Sequence, residues 1–138
     1  MKIIQVVGSS GSGKTTFIRK LIPELKKQGT VAVIKHLGDH TYAVEEGKDT
    51  TVFFETGADI SIGIDSHKSI AAIRKNNLED ILSMLFNQGI DFVVIEGFKQ
   101  RPYPKIVIGS ISAENCVLSN PSVNEVTRSL DLFENFSP

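Results

Sequence analysis

The sequence contains a single cysteine, Cys116, so neither an internal disulfide nor a cysteine cluster for zinc can form. No apolar run approaches the ~20 residues that a membrane-spanning helix needs. The first predicted strand starts almost at Met1, which leaves no room for a signal peptide. We therefore predict a cytoplasmic protein in a reducing compartment, with no membrane partner.

An excess of charge of one sign is also missing. The chain carries 15 Lys and Arg residues against 16 Asp and Glu residues, which gives a formal net charge of −1. Because nucleic-acid binding favours a basic surface, we expect no nucleic-acid partner. With 138 residues and no linker, the sequence predicts a single domain over residues 1–138, large enough to bury a core.

The sequence does contain a glycine-rich stretch near its amino terminus, G-S-S-G-S-G-K-T at Gly8–Thr15, here named the phosphate loop. It follows the apolar run Ile3–Val7 and precedes a helical pattern of apolar residues between Phe17 and Leu25. Strand, glycine loop and helix are the context in which G-x-x-x-x-G-K-[ST] indicates a nucleotide-phosphate site. A serine-glycine turn with a chance lysine is the alternative, and the flanking elements argue against it.

The motif also assigns roles to its last residues. Backbone N–H groups of the loop and the positive end of the following helix would face the anion. Lys14 would contact the β- and γ-phosphates, and the Thr15 hydroxyl would coordinate Mg²⁺. Thr16 could add a hydroxyl near the α-phosphate. The site predicted here therefore binds a nucleotide with Mg²⁺.

The remaining pattern predicts the fold class. Val31–Ile34 is uniformly apolar and predicts a parallel strand in the centre of the sheet, covered on both faces. Ile60–Ile64 and Ile70–Ile73 alternate around a polar turn, which predicts an antiparallel hairpin at the edge of the sheet. A short helix before Gly57 would take Asp49 or Thr50 as its N-cap. We predict an α/β protein with the three-layer P-loop NTPase fold, a mostly parallel central sheet and an antiparallel edge hairpin.

Such a site also needs a carboxylate beside the loop, at the carboxyl end of a buried strand, to hold Mg²⁺ or its waters. The run Asp91–Glu96 offers one at each end, roughly 16 Å apart at ~3.3 Å per residue. Only Glu96 lies at the ligand edge, so we predict that it contacts Mg²⁺ or positions water. Asp91 is predicted to be a surface or structural residue.

Other polar residues leave alternatives open. Lys35 and His36 leave the second strand on the ligand edge, so one of them could face a ligand, and His36, Asp39 and His40 could hold a metal or form a solvated loop. The sequence has no N-K-x-D run to read guanine and no cluster of arginines typical of a kinase lid. Asn120 could donate to guanine, although a turn residue before Pro121 is favoured.

Several segments together resemble the MobB family, the molybdopterin-guanine dinucleotide biosynthesis adaptors. They are the phosphate loop with Thr16, I-K-H at Ile34–His36, G-K-D at Gly47–Asp49, G-A at Gly57–Ala58, V-V-I-E-G-F-K at Val93–Lys99 and P-K-I-V at Pro104–Val107. They occur in the order of the family over the first ~110 residues, and E-G-F-K is the most distinctive of them.

The resemblance implies a GTP-binding protein with weak Mg²⁺-dependent hydrolysis at most, usually a homodimer. Such a protein assists the guanylyltransferase that joins GMP to molybdopterin, and molybdopterin itself could be a ligand. A small P-loop kinase acting on a metabolite and a metallochaperone GTPase are the alternatives. The resemblance implies these site residues: Gly11, Ser12, Gly13, Lys14, Thr15, Thr16, Lys35, His36, Asp49, Glu96 and Lys99. Among them, the motif and the strand geometry predict a metal role for Thr15 and both a metal and a catalytic role for Glu96.

Overall fold

The computed structural model describes residues 1–43 and 45–138. Five strands form one parallel sheet in the order β2–β5–β1–β6–β7, and two further strands, β3 and β4, form a separate antiparallel sheet. The predicted α/β class with a mostly parallel sheet is confirmed. The elements are β1 (Lys2–Gly8), α1 (Lys14–Lys26), β2 (Val31–Lys35), α2 (Asp49–Thr56), β3 (Ile60–Ile64), β4 (Ser69–Ile73), α3 (Leu78–Asn87), β5 (Phe92–Glu96), β6 (Lys105–Ile108), β7 (Cys116–Ser119), α4 (Val123–Arg128) and a 3₁₀ turn at Leu130–Leu132.

The chain divides into two compact units. The first comprises residues 1–36 and 82–138 and contains the parallel sheet with α1 and α4. The second comprises residues 37–81 and contains α2 and the β3–β4 hairpin. The single-domain organisation stays a prediction. Within the described residues, no helix combines the length and apolar character needed to cross a membrane.

The core of the first unit lies between the sheet and α1. Ile4 and Val6 of β1 pack in one buried cluster with Ile18, Leu21 and Leu25 of α1, all at most 5% exposed. The helical residues recur at intervals of three and four, which places them on one face of the helix. Each such side chain contributes about 1.5–3 kcal/mol relative to leaving it in water. This packing fixes the helix that follows the phosphate loop.

The predicted central position of the second strand is wrong. β2 pairs in parallel with β5 alone, at the edge of the sheet, and Val33 is 46% exposed. The parallel pairing was predicted, but β5 inserts between β2 and β1. A uniformly apolar run encodes a strand, whereas the order of strands depends on long-range pairing that the run does not specify.

The second unit contains the predicted hairpin. Ile60 pairs with Ile73 and Ile64 with Ser69, and the Asp65 carboxylate accepts the N–H groups of His67 and Lys68 in the turn. The predicted location of the hairpin at the edge of the central sheet is wrong, because the two strands form a sheet of their own. Alternation specifies the pairing of two adjacent strands but not the sheet that they join.

Two helices have side-chain caps at their amino ends, whereas the cap predicted for α2 is absent. Asp80 N–H donates to Asn77 Oδ1 at 2.8 Å, and Ser122 with Glu125 forms a complete capping box. At α2 the N-cap is Lys48 instead, with no side-chain hydrogen bond. Asp49 is therefore the first residue of α2 and not its cap, although its carboxylate still suits the positive end of the helix.

Candidate phosphate-binding site

Glycines in the phosphate loop serve different purposes. Gly11 and Gly13 have φ of 73° and 98°, in the left-handed region that glycine adopts without strain, and a Cβ atom at either would meet nothing within 4 Å. Gly8 instead ends β1 where the backbone approaches other atoms closely. A Cβ atom there would lie 2.5 Å from Ile108 O and 2.6 Å from Ser12 Oγ. The loop is therefore tightly packed at its start and open around its later glycines.

The polar atoms of the loop fit an anion. Lys14 Nζ donates to Gly8 O at 3.1 Å and Ser9 O at 2.8 Å, so its charge lies over the loop. Ser12 Oγ is buried and has no hydrogen-bond partner among the described residues. The N–H groups of the first turn of α1 have no acceptor within the helix, and no side chain caps it. This donor set suits a phosphate group.

A cleft of about 430 Å³ opens beside the loop. The parallel register sets Lys35 of β2 beside Glu96 of β5, and Glu96 beside Val6 of β1, so these strands end at one edge. Lys35 Nζ lies 3.6 Å from Glu96 Oε1. The structure thus brings nine residues together around the cleft: Ser10, Gly11, Ser12, Gly13, Lys14, Thr15, Thr16, Lys35 and Glu96.

Glu96 is the more enclosed partner of this ion pair. Its side chain is 15% exposed, whereas that of Lys35 is 55% exposed. An ion pair with one exposed member contributes only about 0–1 kcal/mol to stability, so it leaves Lys35 available to a ligand. Together with the Thr15 hydroxyl, Glu96 offers the oxygen ligands that Mg²⁺ takes when nucleotide phosphates supply further ones. Among the described residues, no group of three His, Cys, Asp or Glu side chains is placed to hold a metal ion.

His36 lies next to this edge but faces another partner. Its ring stacks on that of Phe98, with 4.2 Å between the centroids and 27° between the planes. The backbone N–H of His36 donates to Glu96 O at 2.9 Å. Gly97 has φ of 92°, and a Cβ atom there would lie 3.0 Å from His36 Cβ. Phe98 itself has φ of 53°, a conformation that costs about 1–3 kcal/mol in a non-glycine residue. Phe98 lies within the segment E-G-F-K, but the segment alone predicts no role for this residue.

Two other predicted binding residues, Lys99 and Asp49, are not among the residues that line the cleft. Lys99 is exposed in the loop between β5 and β6, and Asp49 begins α2 in the second unit. Arg101 in the same loop is half-buried, and its N–H donates to Phe98 O at 2.9 Å. Nucleotide-binding roles for Lys99 and Asp49 stay predictions.

The hydrogen bonds of Asn120 and Asp91 agree with the roles that the sequence favours for them. The Asn120 side chain accepts from Gly109 N–H at 2.7 Å and donates to Gly109 O at 2.9 Å, so the favoured turn role agrees with the structure. Asp91 accepts from Thr30 N–H at 2.8 Å and from Thr30 Oγ1 at 3.0 Å, as a structural residue would. The Thr30 N–H holds the pKa of the Asp91 carboxyl below its usual range.

Comparisons with known proteins agree with this geometry. The family described as MobB, molybdopterin guanine dinucleotide synthesis protein B, matches residues 3–127. A Methanocaldococcus jannaschii protein is 38% identical over 112 residues, which are 78% of this chain and 47% of that protein. The molybdopterin-guanine dinucleotide biosynthesis adapter protein of Haemophilus influenzae is 37% identical over 110 residues, 77% of this chain and 62% of its own length. The matched part of the chain thus spans about half to two thirds of the length of these relatives.

A solved structure shares the fold as well. The crystal structure of Bacillus subtilis MobB superposes with a TM-score of 0.68 at 32% identity, covering 86% of this chain and 77% of that one. The segments that suggested the family lie within the matched residues and include both the phosphate loop and Glu96. Since the match extends over most of the sequence and the fold agrees with that of a solved member, the chain belongs to the MobB family.

Proposed function

We propose that this protein binds GTP with Mg²⁺ at the phosphate loop and serves as an adaptor in molybdenum or tungsten cofactor biosynthesis. In that role it assists the guanylyltransferase that joins GMP to molybdopterin. The observation that carries the proposal is the cleft in which residues 10–16 face Lys35 and Glu96. Family membership supplies the pathway, since relatives carry names from molybdopterin-guanine dinucleotide biosynthesis.

Within this site each residue has a distinct task. Lys14 leaves its carbonyl partners and contacts the β- and γ-phosphates, while Gly11, Ser12 and Gly13 let the backbone donate to them. Thr15 and Glu96 hold Mg²⁺ or its water ligands, and Thr16 contacts the α-phosphate. When bound, the metal neutralises charge on the phosphate oxygens. The described lining of the cleft contains no arginine to stabilise a transition state, which fits hydrolysis that is weak at most.

The basic residues beside the cleft suit a second anion. Lys35 remains half exposed in its ion pair with Glu96, and Lys99 is exposed in the loop that follows Glu96. We propose that these residues, with His36 and Arg101, face a phosphate-bearing pterin or an acidic surface of the guanylyltransferase. Charges at such a rim act mainly on encounter and orientation of a partner.

A homodimer is also part of this proposal. Ile60, Ile62 and Ile64 alternate along β3 and share one face of the hairpin, where they are 52%, 55% and 80% exposed. A two-stranded hairpin is marginally stable by itself and gains stability when an apolar face is covered. We propose that a second copy of the chain covers this isoleucine face.

A reconstituted cofactor assay tests the adaptor function. The guanylyltransferase, GTP and molybdopterin are incubated with wild-type protein or with the double variant Lys99→Ala and Arg101→Ala. We expect wild-type protein to stimulate guanylyltransfer and the double variant to stimulate it less, while its affinity for GTP stays within about threefold. Lys27→Ala, which removes an exposed charge from the end of α1, is the control. Absence of stimulation by wild-type protein, together with phosphate transfer to a small metabolite, would favour the kinase alternative.

A further inference from the structure

Two polar side chains are buried in the parallel sheet. Gln5 is 0% and Lys105 1% exposed, although their neighbours in the strands β1 and β6 are apolar. Their Cα atoms are partners in the register of the two strands, so both side chains emerge on the same face of the sheet. Burial of an amide or an ammonium group is unfavourable unless hydrogen bonds compensate for it. The hydrogen-bond partners of Gln5 and Lys105 therefore explain why these polar side chains are tolerated in the sheet.

Both side chains donate to one loop, residues 97–104, which connects β5 to β6. Gln5 Nε2 donates to Gly97 O at 2.7 Å and to Phe98 O at 2.8 Å. Lys105 Nζ donates to Arg101 O and, at 3.2 Å, to Tyr103 O. Parallel strands are usually connected by a helix that satisfies its own carbonyl groups. This connection has no helix, so the two buried side chains supply the donors.

The bonds from Gln5 fall where the loop conformation is least favourable. Gly97 and Phe98 both have positive φ, at 92° and 53°. In this conformation the Phe98 ring stacks on that of His36, with 4.2 Å between the ring centroids. Gln5 Oε1 is buried and has no hydrogen-bond partner among the described residues, so the amide is present for its two donated bonds. Burial lowers the pKa of Lys105, and the negative charge of Glu114 only partly offsets this effect. The lowered pKa shows that the charged ammonium group is less stable at this buried position than in water.

We propose that Gln5 and Lys105 are positioning residues, which hold the 97–104 loop so that Glu96 and His36 keep their places beside the phosphate loop. The role in positioning Glu96 and His36 rests on the proposed nucleotide site. The hydrogen bonds from Gln5 and Lys105 to the loop do not depend on that site. Glu96 immediately precedes the held segment, and Glu96 O accepts the N–H of His36. A change in the Gly97–Phe98 backbone would therefore move both residues at the rim of the cleft.

Three variants separate positioning from simple core packing. Gln5→Met and Lys105→Met keep an unbranched side chain of similar length and remove the donors. Ile3→Val is the matched control, since Ile3 is equally buried in β1, two residues from Gln5 and thus on the same face, and loses only a methylene group. The free energy of unfolding of each variant is measured by urea denaturation, so that local effects can be compared at known stability.

Two spectroscopic readouts report the loop directly. The ring protons of His36 should show a ring-current shift from Phe98, and this shift should collapse towards the random-coil value in Gln5→Met. Exchange of the Arg101 amide should become about five- to tenfold faster in Gln5→Met and Lys105→Met, because its acceptor Phe98 O is no longer fixed. Both signals should stay at wild-type values in Ile3→Val.

Nucleotide measurements then test the purpose of the loop. In Gln5→Met, Mg²⁺-dependent GTP hydrolysis should fall about fivefold or more, while the Kd for GTP stays within about threefold, since Glu96 moves and the phosphate loop does not. A wild-type protein that binds no nucleotide would contradict the proposed function, whereas the His36 shift and the Arg101 exchange would still decide the positioning claim. Unchanged shift and exchange in both Met variants would overturn that claim.

A measurement on wild-type protein covers the case in which the variants do not fold. The side-chain amide protons of Gln5 should exchange with water at least about tenfold more slowly than those of exposed Gln100 in the same loop region. They should also show dipolar contacts to Phe98. Rapid exchange at Gln5, equal to that at Gln100, would show that its donors are not engaged and would overturn the proposal.

Discussion

Replacing Gly13 with alanine should weaken nucleotide binding while costing the fold little. Gly13 has φ of 98°, and a Cβ atom there meets nothing within 4 Å. The cost is therefore backbone strain, about 1–2 kcal/mol, less the roughly 0.4–1 kcal/mol gained by restricting the unfolded chain. We expect a net loss near 1 kcal/mol, or about 4 °C in Tm for a chain of this size. Because Gly13 lines the cleft, the added methyl group competes with phosphate, and GTP affinity should fall about tenfold or more.

Gly8→Ala in the same loop provides the comparison. A Cβ atom at Gly8 would lie 2.5 Å from the carbonyl oxygen of Ile108, and this backbone atom cannot move without shifting β6. We expect a loss of about 3 kcal/mol or more in the free energy of unfolding. Thermal unfolding followed by circular dichroism, and calorimetric titration with GTP, are measured on both variants.

The two variants test separately whether the open side of the loop faces the phosphates and whether the close contact at Gly8 matters for stability. A Gly13→Ala protein that binds GTP as tightly as wild type would show that the open side of the loop does not face the phosphates. Equal loss of stability in Gly8→Ala and Gly13→Ala would show that the close contact at Gly8 is not what distinguishes the two glycines.

Two further predictions concern Glu96 and the isoleucine face. Glu96→Gln should keep GTP affinity within about threefold and lower Mg²⁺-dependent hydrolysis about tenfold or more, as measured by phosphate release; unchanged hydrolysis would make Asp49 the next candidate. Ile62→Lys should convert the dimer to a monomer, as measured by analytical ultracentrifugation, because it adds a charge to the apolar face of β3. Ile70→Lys is its control, since Ile70 is 69% exposed on the opposite face of the hairpin, and a wild-type protein that sediments as one chain would contradict the dimer.

The positions of the phosphate loop and of Glu96 could be predicted because each depends on a pattern of residues that are close together in the sequence. A glycine motif between an apolar strand and an amphipathic helix specifies its own conformation, and residues that end parallel strands meet at one edge. The cleft indeed brings Lys35 and Glu96 to residues 10–16. The family resemblance added the pathway, which no pattern of burial or charge contains.

The order of strands and the side chains that hold the loop after Glu96 could not be predicted in the same way. The position of β2 at the sheet edge depends on β5, which lies some sixty residues further along the chain. Phe98 adopts a left-handed conformation that its residue type disfavours, because Gln5 and His36 hold it there. A signal for Gln5 did exist, since it is the one polar residue between Ile3 and Val7, but the identity of its partners depends on tertiary structure.

The proposed function depends on GTP binding at the phosphate loop, which is measured by calorimetric titration of GTP and ATP in the presence of Mg²⁺. Wild-type protein should bind GTP more tightly than ATP. Lys14→Ala should lose roughly 1.5–3 kcal/mol of GTP binding, about 10- to 150-fold in Kd, with unchanged circular dichroism, because its only hydrogen bonds found in the described chain are to the loop carbonyls of Gly8 and Ser9. Equal affinity of a folded Lys14→Ala variant and wild-type protein for GTP would show that the phosphate loop does not bind the nucleotide.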